Sequence, residues 1–180
     1  MASIHPSTPV KLFVVTLHNN SEVLEEVLGE LHRSWGETDF ISTDFPFNIT
    51  DYYEQEMGKN LVRRFYSFTN LIPPDYIVEA KKITNAIEGK FSIDGKRQIN
   101  LDPGYIDYFK LVLASTKFGG QKIYMRDGIY ADMSLVMYKG KWESFTWGFP
   151  DFKSGTYDSV LSEIRDLYKA QAKATGLRFF

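Results

Sequence analysis

The first feature of the chain is an apolar run, which is followed by a segment whose apolar residues recur at helical spacing. The run Val10 to Leu17, VKLFVVTL, is almost continuously apolar and β-branched, which is typical of a strand covered on both faces. Asn20 or Ser21 can then cap a helix that Gly36 can end. The apolar residues of this helix recur at helical spacing and are Leu24, Leu28, Leu31 and Trp35.

The next apolar segments extend this pattern. Thr38–Phe45 and Leu61–Phe68 are predicted strands, separated by a loop with a short helical turn that Gly58 ends. Pro73-Pro74-Asp75 opens a second helix, and residues 96–101, KRQINL, form a short strand. The order strand, helix, strand, strand, helix, strand predicts an α+β fold whose N-terminal half has the βαββαβ, ferredoxin-like pattern.

Residues 105–116 have two interpretations. The apolar positions 106, 109, 112 and 113 fit one face of a helix, whereas KLVLAST alone fits a buried strand equally well. Both alternatives stay open at this point.

The last third of the chain predicts a three-stranded antiparallel meander and a C-terminal helix. Asp127-Gly128 is a strong hairpin signal, and Lys139-Gly140 turns the chain again. Pro150 ends the meander, and Ser154 or Thr156 starts the helix. In the strand after Gly128 we expect one apolar face, with Asp132 on the other. That apolar face would consist of Ile129, Ala131, Met133, Leu135 and Met137.

Composition limits the classes of protein to consider. The 180 residues are 43% hydrophobic and 24% charged, which suits one folded domain over residues 1–180 with a flexible tail at residues 1–9. A net charge of -2 gives no field that attracts phosphate backbones, so we do not expect nucleic-acid binding. The absence of cysteine excludes disulfides, thiolate metal sites and a cysteine nucleophile. We expect a cytoplasmic protein, because neither a signal peptide nor a membrane span is evident.

The octapeptide NLDPGYID, residues 100–107, is the first candidate site. Asp102-Pro103 has the composition of a helix start, with aspartate as the cap and proline in the first turn. A helix start would also present backbone amides and a positive dipole end to an anion. In that helix Lys110 and Lys117 would lie near one stripe. Both the cap and the anion site stay open as interpretations.

Carboxylates and tyrosines supply the other candidates. Asp51 and Glu56 lie in an acidic, tyrosine-rich loop where oxygen ligands could hold a divalent metal ion, although a solvated turn explains them as well. Asp132 lies among tyrosines in its strand and could orient a substrate or act as a base. An exposed sheet surface explains Asp132 equally well.

Several stretches resemble one known family, and no phosphate-binding, nucleophile-elbow or zinc-protease motif is present. The segments DYYEQEMG, NLDPGYI, KLVLASTK and DGIYADMSL, with PVKLFV before them and FPDF after them, resemble the family numbered 4416 among the domains of unknown function. The resemblance runs from about Val10 to Tyr168 and implies a prokaryotic single-domain protein without an established activity. Some relatives carry an automatic GTP-binding label, for which this chain has no phosphate loop.

These observations lead to two functional hypotheses. In the first, the protein binds a small anionic ligand such as a nucleotide or a phosphorylated metabolite, and could act on it. A divalent metal held by Asp51 and Glu56 could assist, and catalytic residues are not assigned. In the second, the protein is a non-catalytic interaction module that forms a homodimer through its aromatic residues. The ligand-binding residues of the first hypothesis are Asn100, Asp102, Tyr105, Lys110, Lys117 and Asp132.

Overall fold

The computed structural model describes residues 3–177, which contain both helices and an antiparallel sheet. The α+β prediction is therefore confirmed. The strands are β1 (Val10–His18), β2 (Thr38–Ile41), β3 (Phe45–Pro46), β4 (Val62–Ile72), β5 (Ile99–Ile106), β6 (Lys110–Ser115), β7 (Ile123–Arg126), β8 (Ile129–Tyr138) and β9 (Lys141–Ser144). The helices are α1 (Ser21–Trp35), α2 (Glu54–Met57), α3 (Ile77–Lys90), α4 (Pro150–Lys153) and α5 (Asp158–Ala174).

All these strands belong to one sheet with the order β2-β4-β1-β5-β6-β8-β7. The short strand β3 pairs with β4, and β9 pairs with the same edge of β8 as β7 does. Up to β5 the order of the main elements is strand, helix, strand, strand, helix, strand. The name ferredoxin-like for this half stays a prediction, as does the division into one domain with a tail.

The sheet is covered on both faces. Leu12 and Val14 of β1 pack with apolar residues of α1 and α3, whereas Phe13 and Val15 pack with residues of α5. The continuous apolar run of β1 is explained by this position, because every side chain of the strand is buried. We refer to the two sides as the α1/α3 face and the α5 face.

The segment that could have begun a helix lies within strand β5, and of the two interpretations of residues 105–116 the structure has the strand and not the helix. Asp102, Pro103 and Gly104 are extended and pair with β1, and residues 110–115 form strand β6. A Cβ on Gly104 would lie 2.4 Å from the carbonyl oxygen of Val112 and 3.0 Å from the ring of Phe13. Glycine is therefore required here for the close approach of neighbouring strands, and neither a helix cap nor a helix-terminal anion site exists at this position.

Strand β8 does not keep one apolar face, contrary to the expectation from its alternation. Leu111 pairs with Leu135 but Val112 pairs with Met133, so Ser134 is an extra residue in β8. Odd-numbered residues therefore change face at the bulge. Ile129, before it, packs on the α1/α3 face, whereas Leu135, after it, packs on the α5 face. Met133, directly before the bulge, is exposed, and Asp132 is buried.

No helix in the described part of the chain is long and apolar enough to cross a membrane.

The last residue of β1 gives the fold a dependence on pH. His18 is only 3% exposed, and neither of its ring nitrogens has a hydrogen-bond partner within residues 3–177. Burial lowers the pKa of this imidazole, while the charge of Asp44 opposes that change and the charge of Arg64 adds to it. The folded protein therefore resists protonation of His18.

We expect the free energy of unfolding to decrease as the pH falls below about 6.5, the pKa of an unperturbed histidine. The unfolded chain takes up this proton at a higher pH than the folded chain does, so protons favour the unfolded state in that window. Urea unfolding of the wild type, His18→Gln and His5→Gln at pH 7.5 and 5.5 measures the effect. Loss of the pH dependence in His18→Gln alone is the expected result, and an unchanged dependence in that variant contradicts the assignment.

Candidate functional site

The sheet splits between β5 and β6 at one end. Strand β5 pairs with β1 along its whole length, but only Gly104–Ile106 pair with β6. Alternate residues of a strand direct their backbone groups to the same neighbour, so Leu101 and Pro103 face the same edge. Proline has no N–H to donate to β6, and pairing with β6 accordingly starts only at Gly104. We call this region, where residues 99–103 lack a strand partner on one side, the split end.

Two buried charged side chains of α3 occupy the place of the missing strand. Lys81 Nζ donates to the carbonyl oxygen of Leu101 at 2.9 Å, and the Leu101 N–H donates to Glu88 Oε1 at 2.6 Å. Lys81 and Glu88 are seven residues apart, which is two helical turns, and therefore lie on one face of α3. Both are only 7% exposed. The backbone N–H and carbonyl of Leu101 are thus satisfied without a neighbouring strand.

The electrostatics of Glu88 reflect this position. Burial raises the pKa of its carboxyl group, and the charge of Lys81 and the hydrogen bond from Leu101 oppose the rise. The charge of Asp102 adds to the rise, and the charge of Arg97 opposes it. The Leu101 N–H needs the Glu88 carboxylate as its acceptor, and the same hydrogen bond holds the carboxylate in place.

Arg97 connects the split end to the short helix α2. Its Nε and Nη2 donate to the two carboxylate oxygens of Glu56 at 2.8 and 2.7 Å, and its backbone N–H donates to Glu56 Oε1 at 3.1 Å. Nη1 donates to Asn100 Oδ1 at 2.7 Å and lies 3.6 Å from Glu88 Oε2. The hydrogen bonds from Arg97 lower the pKa of Glu56. Arg97 is thus the central cation of the region.

Asn100 and Asp102 are neighbours on the α5 side of the same strand. Asn100 Nδ2 donates to Asp102 Oδ2 at 2.9 Å, and Lys81 Nζ is 3.6 Å from Asp102 Oδ1. The Asp102 side chain is 32% exposed. It is therefore a carboxylate with a positioned donor on one oxygen, a nearby ammonium group on the other and access to solvent.

Tyrosines join this cluster to Lys117. The rings of Tyr52 and Tyr53 are in edge contact with centroids 5.0 Å apart, and the Arg97 guanidinium is 6.0 Å from the Tyr53 ring. Lys117 Nζ lies 5.1 Å from the Tyr52 ring centroid and makes no ion pair within residues 3–177. Burial raises the pKa of Tyr53, and the charge of Asp102 adds to that rise. Lys117 therefore contributes a positive charge without an ion-pair partner in the described residues, next to the exposed ring of Tyr52.

Asp132 belongs to a second buried group at the same end of the sheet. Lys122 Nζ is 3.3 Å from Asp132 Oδ2 and donates to Ser115 Oγ at 2.8 Å. Ser115 Oγ also accepts from the backbone N–H of Lys117 at 3.1 Å. The loop that carries Lys117 is thus tied to the Asp132 pair, and Asp132 is not the open catalytic carboxylate that its strand position suggested.

Two of the predicted ligand-binding residues lie away from the split end. Tyr105 is buried on the α1/α3 face with Ile77 and Val78. Lys110 forms an ion pair with Asp107 in the turn between β5 and β6, at the opposite end of these strands. Asp107 lies five positions after Asp102, which is about 17 Å along an extended chain. Tyr105 and Lys110 are therefore not part of the split end.

The two residues suggested for a metal have separate contacts. The carboxylate of Glu56 is bound by Arg97, whereas Asp51 lines a shallow groove of about 540 Å³ with Glu54 and Lys59. No group of three or more His, Asp or Glu side chains that could hold a metal occurs within residues 3–177. The metal site at Asp51 and Glu56 stays a prediction without support from this geometry.

The comparisons with known proteins identify a family. Its sequence pattern, described as a domain of unknown function (DUF4416), matches residues 8–168. The chain belongs to the DUF4416 family. No curated protein and no solved structure matches it. The resemblance stated from the sequence is confirmed.

Sequence reasoning missed the four charged residues that organise the split end. Lys81 and Glu88 sit beside the inward-facing positions Ala80 and Ile87 of α3, so their place on the helix could have indicated burial. Arg97 and Lys122 carry no such signal, because turn and loop lysines and arginines are normally solvated.

Lys81→Met is expected to destabilise the protein by about 3 kcal/mol, since it leaves the buried Leu101 carbonyl without its donor and removes the positive charge that offsets the burial of the Glu88 carboxylate. The matched control is Lys82→Met, because Lys82 is 50% exposed and pairs only with exposed acids. We expect that control to change the stability by less than about 1 kcal/mol. Urea unfolding measures both, and equal effects would contradict a structural role for Lys81.

Proposed function

We propose that the DUF4416 protein binds a small anionic ligand at the split end. The single observation that supports this most is the continuous set of contacts that links Arg97, Lys81 and Lys117 to Asp102. These cations come from three separate segments of the chain: helix α3, the turn before β5 and the loop after β6. Clusters of positioned cations next to aromatic rings are the usual means of holding phosphorylated molecules.

The ligand class that we propose is a nucleotide or a phosphorylated metabolite. A phosphate group would contact Lys117 and Arg97, and a base or sugar ring would pack on Tyr52, whose side chain is 64% exposed. Asp102 is the carboxylate that would serve as acid or base if the bound molecule is turned over. A cytoplasmic location is part of the proposal, and a chain without cysteine suits a reducing compartment.

The proposal predicts that phosphorylated ligands raise the melting temperature. At ten times its Kd a ligand stabilises the folded state by about 1.4 kcal/mol, or a few degrees for a chain of this size. Inorganic phosphate, a nucleoside triphosphate and a sugar phosphate at millimolar concentrations are the probes. Lys117→Gln is expected to weaken binding about tenfold, because it removes the unpaired charge.

Lys139→Gln is the matched control for this experiment. Lys139 Nζ also lies over a tyrosine ring, 5.2 Å from the centroid of Tyr138, but in the turn between β8 and β9. We expect this variant to bind like the wild type. Equal losses in both variants would indicate an unspecific charge effect, and no stabilisation by any probe would remove the proposed function.

The second candidate function is self-association through the surface around β7, β8 and β9. These strands do not form the predicted three-stranded meander, because β7 and β9 pair with the same edge of β8. The specific support for self-association is that several large hydrophobic side chains within residues 118–149 are exposed, since such side chains mark an interaction surface where they form one patch. They are Phe118, Ile123, Tyr124, Met133, Tyr138, Trp147 and Phe149. The edge strand β7 carries two of them, Ile123 and Tyr124, beside unpaired backbone groups.

This candidate predicts a dimer whose mass depends on protein concentration. Light scattering of the wild type, Ile123→Lys and Ile93→Lys measures it. Both isoleucines are exposed, at 66% and 62%, but Ile93 lies in the turn after α3. We expect only Ile123→Lys to shift the protein to monomer, and a strictly monomeric wild type would eliminate the candidate.

A further inference from the structure

The carboxylate of Glu56 occupies a complete receptor for an oxyanion. Three N–H donors of one residue, the Nε, the Nη2 and the backbone N–H of Arg97, converge on its two oxygens at 2.7–3.1 Å. The planar fork of a guanidinium binds carboxylate and phosphate in the same bidentate way. A phosphate group of an external ligand would therefore accept hydrogen bonds from the same three donors.

We infer that Glu56 is an internal competitor of the ligand: it fills the oxyanion receptor of Arg97 in the free protein, and the phosphate group of the bound ligand displaces it. This inference rests on the proposed function and adds its regulation. Only protein molecules in which Glu56 has left the Arg97 guanidinium can bind the ligand. The measured affinity of the protein for the ligand is therefore lower than the affinity of a site that Glu56 does not occupy.

The charges of the split end favour this exchange. The cluster contains four cations and four carboxylates, so its formal charges cancel. The cations are Lys81, Arg97, Lys117 and Lys122, and the carboxylates are Glu56, Glu88, Asp102 and Asp132. When the Glu56 side chain turns into solvent, its charge is no longer held next to Arg97. The site is then left with one net positive charge at short range, which an incoming phosphate compensates.

Both partners of the pair are accessible to a dissolved ligand. The side chains of Arg97 and Glu56 are 28% and 31% exposed. The pair therefore lies at the protein surface, where solvent and salt screen the attraction between its charges. Displacement of Glu56 does not require entry into the core.

The two sides of the pair are also held in place independently of each other. Arg97 stays positioned by its bond to Asn100 at 2.7 Å. Helix α2 stays on the sheet through the buried side chain of Met57 and through the bond from Asn19 Nδ2 to the Met57 carbonyl oxygen at 2.8 Å. A rotation of the Glu56 side chain alone thus vacates the receptor, and α2 does not have to unfold.

The experiment is a calorimetric titration of inorganic pyrophosphate into the wild type and three variants. Glu56→Gln removes the competing charge, and Glu56→Asp keeps the charge but shortens the side chain below the reach of the fork. Both are expected to lower the Kd about tenfold. The matched control is Glu54→Gln, which makes the same charge change on the same helix at a carboxylate without an ion pair in the described part of the chain. Its Kd should stay within about twofold of the wild type.

The outcomes separate this inference from the proposed function. If every protein binds pyrophosphate with the same Kd, or the Glu56 variants bind more weakly, Glu56 is not a competitor and the inference is overturned while the binding function stands. If all four proteins fail to bind pyrophosphate and the wild type also fails with the phosphorylated probes above, both are overturned. Circular dichroism confirms that each variant is folded, and Glu56→Asp supplies the comparison if Glu56→Gln is not.

Discussion

The structure around the split end depends on one missing hydrogen-bond donor. Pro103 has no N–H, and it lies on the edge of β5 that would otherwise pair with β6. Because an unpaired backbone in a buried position is costly, the groups of Leu101 must be satisfied by other means. Lys81 and Glu88 do this from α3. The burial of two opposite charges next to the sheet follows directly from the interruption of strand pairing.

The buried charges of Lys81 and Glu88 lie next to further polar side chains. Glu88 lies close to Arg97, Arg97 binds Asn100 and Glu56, and Lys81 approaches Asp102. Most of the sheet is packed with apolar side chains on both faces, although buried ion pairs also occur away from the split end, at Lys11–Asp39 and Arg63–Asp151. The end where β5 and β6 separate combines the buried charges of Lys81 and Glu88 with the partly exposed charges of Asp102, Arg97 and Glu56. This combination is the physical basis for proposing a ligand site there, and the Glu56 carboxylate within the Arg97 fork is an internal example of the anion that we propose the site binds.

The octapeptide of residues 100–107 illustrates why local rules can point to the wrong structure. Aspartate followed by proline suits the first turn of a helix, and the same proline suits a strand edge that must remain unpaired. The choice depends on Gly104, which lets β5 approach Phe13 and the backbone of Val112. These contacts join residues far apart in sequence, so no local pattern reveals them. The bulge at Ser134 acts likewise, because one extra residue exchanges the faces of β8.

By itself the sequence determined the class of fold, the positions of α1, α3 and most strands, and, through the resemblance of several motifs, the family. Periodicity sufficed for the helices and strands, because burial of one face or of both imposes it on neighbouring residues. Only the tertiary structure decided which charges meet. The sheet brings segments that are distant in sequence side by side, and this is why four charged residues meet: Lys81, Glu88, Arg97 and Glu56. Ion pairs between distant segments have no characteristic spacing in the sequence, so they cannot be predicted from it.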